Sequence, residues 1–169
     1  MHLKTILNRV ERHKGFVYQG ARFAENGALE VAVRERAGSR PICSECGRRG
    51  PGYDRLPTRH YAFVPLWALA VFLVYAPRRV NCRHCGVKVE RVPWADGKSQ
   101  LTTSYRWFLA SWAKLLTCQQ VAHAFQTSRQ RRQMVYRAVE WVVARGLAPG
   151  RIRHEPDYGF RHRSSRATD

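Results

Sequence analysis

Apolar residues open the chain at helical spacing: Leu3, Ile6, Leu7 and Val10 fall on one face of a short helix within residues 1–12. The period then shortens. Phe16-Val17-Tyr18 and residues 28–33 predict two strands, and Glu25-Asn26-Gly27 between them supplies an Asn-Gly turn. Residues 59–64 and 69–80 predict two more strands on either side of a Pro65-Leu66 turn, and residues 87–92 predict a short alternating one. After the turn-rich stretch 93–98 the helical period returns. Thr102 or Thr103 can cap a helix on which Tyr105, Phe108, Leu109, Trp112, Leu115 and Leu116 recur at i, i+3 and i+4. Thr117 caps a short helix with Val121, Ala122 and Phe125. After a break at Gln126-Thr127-Ser128, Ser128 caps a third with Val135, Ala138, Val139, Val142 and Val143 inward. Gly146 and Pro149 end it. Three helices with a short break before the last have the outline of a helix-turn-helix unit.

Residues 61–77 carry no charge and approach the lower length limit of a membrane-spanning helix. Pro65, the aromatic and β-branched content, and the cysteines on both sides favour buried strands, with no membrane crossing. From Gly150 onward no apolar period remains, and the Arg- and His-rich stretch reads as a disordered basic tail. The fold class is therefore α+β. A β-rich domain spans 1–93, a three-helix helix-turn-helix domain spans 94–149, and the tail spans 150–169.

Chemistry enters with two matching pentapeptides, Cys43-Ser44-Glu45-Cys46-Gly47 and Cys82-Arg83-His84-Cys85-Gly86. A tetrahedral zinc ion needs four soft ligands, and two Cys-x-x-Cys knuckles supply them as Cys43, Cys46, Cys82 and Cys85. A glycine after each pair accepts positive φ and lets the chain turn back over the thiolates. A redox pair normally opens a helix, and neither knuckle precedes a helical pattern. Two disulfides would suit a secreted chain, but the start of the sequence has no signal-peptide core. The cofactor expected is one structural zinc in a zinc-ribbon-like domain, with no open position for catalysis. Residues 47–81 exceed the common ribbon spacing of about 15–20 residues, but loop-closure entropy rises only logarithmically. Four thiolates around one zinc leave a net negative charge that Arg48, Arg49, Arg79 and Arg83 could screen. His60 and His84 read as exposed or core histidines rather than ligands, and Cys118 as a small buried residue. Thiolate ligation points to a reducing, cytoplasmic compartment.

Charge then narrows the partner. Lys and Arg total 30 against 12 Asp and Glu, a net charge of +18. An excess of that size calls for a polyanion, and nucleic acid fits it better than an acidic membrane surface. In a helix-turn-helix the last helix enters the major groove with its first turns. Here that stretch carries Arg129, Gln130, Arg131, Arg132 and Gln133, with Arg137 one turn on. Arg pairs bidentately with guanine and Gln with adenine, so double-stranded DNA is the expected partner. A solvated charged face is the plainer alternative. Counted from Ala122, the position where such units usually carry an apolar residue falls at Arg132, so the spacing departs from the usual register.

In this order the motifs resemble the N-terminal part of bacterial insertion-sequence transposases of the ISL-three family. The matching stretches are KTILNRVERHKGFVY, CSECGRRGPGYDRLPTRHYAFVPLW, VNCRHCG, VERVPWADGKSQLTTSY and RAVEWVV. The resemblance implies a zinc-binding domain and a helix-turn-helix that bind the element's terminal inverted repeats. It also implies a following ribonuclease-H-like domain whose acidic triad holds metal for strand cleavage and joining. Here the last helix runs into GRIRHEPDYGFRHRSSRATD, where Asp157 has no apolar strand around it. The expectation is a truncated transposase that binds DNA and is not itself an enzyme. Alternatives are a regulator or inhibitor subunit of an intact transposase, a homo-oligomer, or a zinc-dependent RNA- or protein-interaction module.

Overall fold

The computed structural model describes residues 3–125 and 131–146. Helix α1 (Leu3–Val10) turns Leu7 into the core, with Leu3 packed beside it. Strands β1 (Phe16–Phe23) and β2 (Leu29–Glu35) form the antiparallel hairpin expected from Asn26-Gly27. Gly27 has φ 76°, and Asn26 Oδ1 accepts a 3.1 Å bond from the Ala28 N–H. The chain continues through β3 (Gly52–Arg55), β4 (Arg59–Leu66), β5 (Leu69–Tyr75), β6 (Arg78–Cys82) and β7 (Gly86–Val89).

These strands make two sheets, ordered β1-β2-β5-β4 and β3-β6-β7. The larger sheet joins two hairpins through a parallel β2–β5 contact, with Leu29 opposite Val71. The expected single strand over 69–80 is instead two strands in different sheets. Pro77, which has no N–H for a ladder, lies between β5 and β6, and its carbonyl accepts a 2.8 Å bond from the Leu56 N–H. The uncharged stretch 61–77 forms β4 and β5 with alternating burial. No helix among the described residues is long and apolar enough to cross a membrane.

The β4–β5 turn is two residues later than the expected Pro65-Leu66. Leu66 pairs with Leu69, so the loop is Trp67-Ala68, and both residues have positive φ, 46° and 64°. Tight hairpins demand that twist, and Asn-Gly normally supplies it. Trp67 is 85% exposed, so little packing offsets the strain. The double variant W67N/A68G should raise unfolding free energy by about 1–2 kcal/mol, readable as a higher urea midpoint. An unchanged midpoint would mean that the turn is not strained.

Trp94 lies at the centre of the larger sheet's core. Edge-on rings of Phe16, Tyr75 and Tyr61 surround it at 4.9, 5.3 and 5.9 Å. Val92 and Ala95 are buried with it, while Pro93 and residues 96–98 stay exposed, so the turn-rich stretch adds Trp94 and Ala95 to the core. Residues 100–102 then run beside β4: Ala62 N–H donates to the Gln100 carbonyl (2.7 Å), and Thr102 N–H to the Ala62 carbonyl (2.9 Å). The chain divides into two units, Met1–Leu109 and Ala110–Asp169.

His13 packs against Trp94 and Tyr18, ring centroids 5.3 and 5.9 Å apart, and burial lowers its pKa to about 4. The folded state therefore stays neutral where the unfolded chain takes up a proton. Stability should be lost as pH falls from 6.5 towards 4, by up to about 3 kcal/mol. Burial raises the Glu11 pKa, which opposes the loss at the acid end of that window. Comparing the pH dependence of wild type and His13→Gln isolates the term; parallel curves would exclude it.

Helices α2 (Thr103–Trp112), α3 (Cys118–Ala124) and α4 (Arg131–Val143) follow. Thr102 Oγ1 accepts from the Tyr105 N–H at 3.3 Å, which selects Thr102 as the cap of α2. Thr117 forms a full capping box with Gln120 at the start of α3. Within the second unit α3 packs on α4, burying Cys118, Val121 and Ala122 on one side and Val135, Ala138, Val139 and Val142 on the other. Gly146, φ 67°, accepts the positive dihedral that ends the last helix. The break at 126–128 and the tail 150–169 lie outside the described residues.

Candidate metal centre and nucleic-acid helix

Each knuckle folds locally before the two meet. In the first, the Cys43 N–H donates to the Arg48 carbonyl (2.8 Å) and the Gly47 N–H to the Cys43 carbonyl (3.0 Å). In the second, Cys82 pairs with Gly86 at the β6–β7 turn. Gly47 and Gly86 have φ 70° and 71°, the positive values expected of them. Backbone bonds then join the knuckles: Ser44 N–H to the Val89 carbonyl at 3.2 Å, and Arg91 N–H to the Ile42 carbonyl at 2.7 Å. Gly50 permits this approach, because a Cβ there would lie 2.8 Å from Val80 Cγ2 and 3.0 Å from the Asn81 carbonyl oxygen.

The result is that Cys43, Cys46, Cys82 and Cys85 place their sulfurs within 4.8 Å of one another. Cys46 and Cys82 Sγ are 3.5 Å apart. Zn–S bonds of about 2.3 Å put tetrahedral sulfurs about 3.8 Å apart, so the set fits a metal ion of that size and softness. Cys43 and Cys82 are buried, Cys85 is half-buried and Cys46 is exposed. Backbone N–H groups of His84 and Cys85 lower the Cys82 pKa to about 7, and the neighbouring Cys46 thiol raises Cys85 to about 12. A bound metal must displace the remaining protons, so its affinity falls as pH falls.

Among the sequence-derived neighbours, Arg48 hydrogen-bonds His84 Nε2 and so links the two knuckles. Arg79 does not turn to the thiols; it pairs with Asp54 and lies over the Tyr53 ring at 5.3 Å. His60 belongs to the larger sheet, bonding Glu30 at 3.1 Å. Cys118 is buried within α3, in the other unit.

Sequence reasoning missed Glu90. It pairs in a backbone bridge with Cys43, and its carboxylate is buried. Oε1 accepts from the Tyr75 hydroxyl and from the Arg78 N–H at 2.7 Å. Oε2 accepts from Arg78 Nε and Nη2 at 2.9 and 2.8 Å, while Arg78 Nη1 reaches the Ser39 carbonyl at 2.9 Å. This network ties the cysteine sheet to the larger sheet. Alternation over 87–92 sets Glu90 on the same face as Lys88, and nothing local marks it as buried.

The six residues expected to meet DNA are only partly in view. Arg129 and Gln130 lie outside the described residues. Arg131 and Arg132 form the first turn of α4. Gln133 and Arg137 are on the exposed side of that helix, opposite buried Val135, Ala138 and Val139. Their spacing of four puts them one turn apart on one face.

No family model matches the chain, and no solved structure matches it. It is 31% identical over 110 residues to the transposase for insertion sequence element IS1557 of Mycobacterium tuberculosis, in strains CDC 1551 / Oshkosh and ATCC 25618 / H37Rv. The match covers 62% of this chain, and the chain spans about a quarter of the length of these curated relatives (25%). By sequence, this α+β chain, whose four clustered cysteines could hold a metal ion, is similar to part of an insertion-sequence transposase.

Proposed function

We propose that the chain is the DNA-binding portion of an insertion-sequence transposase of the ISL-three type, recognising the terminal inverted repeats of its element. Similarity to the IS1557 transposase carries this reading. The net charge of +18 supports it, as do Gln133 and Arg137 side by side on the exposed face of α4. In this reading α3 and α4 are the helix-turn-helix. Its recognition end runs from Arg129 through Gln130, Arg131, Arg132 and Gln133 to Arg137. The four cysteines hold one zinc ion, which braces the fold and leaves no position for substrate. A reducing cytoplasm suits those thiolates. Strand cleavage and joining belong to a catalytic part outside this portion, so the portion alone binds without cutting.

Fluorescence anisotropy with a duplex of the element's end and a scrambled duplex of equal length tests the reading. The end duplex should bind at least tenfold tighter, with affinity for both falling steeply as salt rises. Arg137→Ala should cost about 1–3 kcal/mol on the end duplex if the side chain reads a base. Equal affinity for the two duplexes would refute recognition of the repeats.

A further inference from the structure

The outer face of α1 gathers Lys4, Thr5, Asn8, Arg9 and Arg12 around one open groove of about 520 Å³. Leu3 and Leu7 face the core, so the helix presents its polar side outward. No carboxylate lines the groove. Glu11, the acid of this segment, instead accepts a hydrogen bond from Ser104 Oγ. Among the described residues, Lys4, Arg9 and Arg12 take part in no ion pair. Asn8 Nδ2 donates to the Lys4 carbonyl at 2.7 Å, which holds that side chain along the helix.

Cations in the last turn of a helix complement its dipole, which accounts for Arg9. Lys4 has no such explanation. It stands in the first turn, where the dipole disfavours a cation, and that turn contains no acid. From Lys4 to Arg9 the helix rises roughly 7.5 Å at about 1.5 Å per residue, and Arg12 follows just past its end at Val10. Lys4 and Arg9 thus stand about two phosphate steps apart along one DNA strand, each step rising about 3.4 Å, and Arg12 adds a third cation beside them. A groove lined by cationic and short polar side chains suits a phosphate backbone and offers little with which to read base edges.

We propose that the outer face of α1 is a second DNA-contacting surface, holding the phosphate backbone of duplex DNA through Lys4, Arg9 and Arg12 without reading sequence. The inference rests on the DNA-binding reading above but assigns a contact outside the helix-turn-helix.

The test is the triple variant K4Q/R9Q/R12Q in the full, metal-loaded chain, against a control R34Q/R36Q/R40Q that removes equal charge at the end of β2 and just after it. Both are titrated with end and scrambled duplexes at several salt concentrations. The α1 variant should lose roughly 10- to 100-fold in affinity for both duplexes equally, and its salt slope should fall by about 2–3. Metal content and far-UV circular dichroism should stay as in wild type, and the control should lose far less. An α1 variant that binds like wild type, or a control that loses as much, overturns the proposal. So does a changed ratio between the duplexes, or an α1-dependent preference for single-stranded RNA. Wild type binding both duplexes equally, with the α1 variant weaker on each, would sink the terminal-repeat reading and leave this one standing. Wild type binding neither would end both.

Discussion

Cys43→Ser should abolish stoichiometric metal binding and unfold the β3-β6-β7 sheet. That sheet has almost no apolar core of its own: its buried cluster is Cys43, Val80 and Cys82, with Cys85 packed alongside. Two of its strands are four residues long, and β3 is exposed throughout. So small a sheet cannot offset its chain entropy by hydrophobic burial. A metal ion held by four thiolates can, since structural zinc contributes about 10–16 kcal/mol in small finger peptides. The whole stability of an ordinary domain is about 5–15 kcal/mol. Native mass spectrometry should find one zinc per wild-type chain and none on the variant. Amide exchange in β6 and β7 should rise towards unfolded rates, and a strong chelator should have the same effect on wild type. Cys118→Ser, in the other unit, should keep the metal. A Cys43→Ser chain that retained one zinc and protected β6 amides would show that the cluster is not the organising centre.

What was legible in the sequence was local. The knuckles announce themselves because ligand spacing and the glycine that follows act within five residues. The Thr117–Gln120 capping box and the apolar face of α1 are equally short-range. Features set by distant partners were not visible. The parallel β2–β5 contact joins strands separated by the whole first knuckle, and no local pattern encodes it. Pro77 closes the uncharged run and Arg78-Arg79 follow it, yet only the second sheet shows that the residues after Pro77 belong to a separate strand. The Trp67-Ala68 turn lacks the Asn or Gly that positive φ normally recruits, so the nearby Pro65 drew the turn to itself. At the α4 end, the helical period and the exposed Gln133 and Arg137 followed from spacing.

Glu90→Ala should destabilise the chain by about 3–5 kcal/mol, the range for removing one member of a buried ion pair. The carboxylate is 1% exposed and the Arg78 side chain 11%, so water cannot take the place of the missing partner. Loss of Glu90 strands a buried guanidinium together with the Tyr75 hydroxyl and the Arg78 N–H. Glu90→Gln keeps much of the shape and one acceptor, and should cost less than the alanine variant. Tyr75→Phe removes one hydrogen bond at a cost of about 1–2 kcal/mol. The double variant R78M/E90L removes the whole charge pair and should recover most of the loss, because apolar replacement of a buried pair is often nearly neutral. Urea unfolding followed by circular dichroism supplies each value. Because Glu90 bridges Cys43 through the backbone, the alanine variant should also release zinc faster to a chelator, while the apolar double variant should hold it nearly as long as wild type. A loss below about 1 kcal/mol for Glu90→Ala would mean that the two sheets are held together without this network.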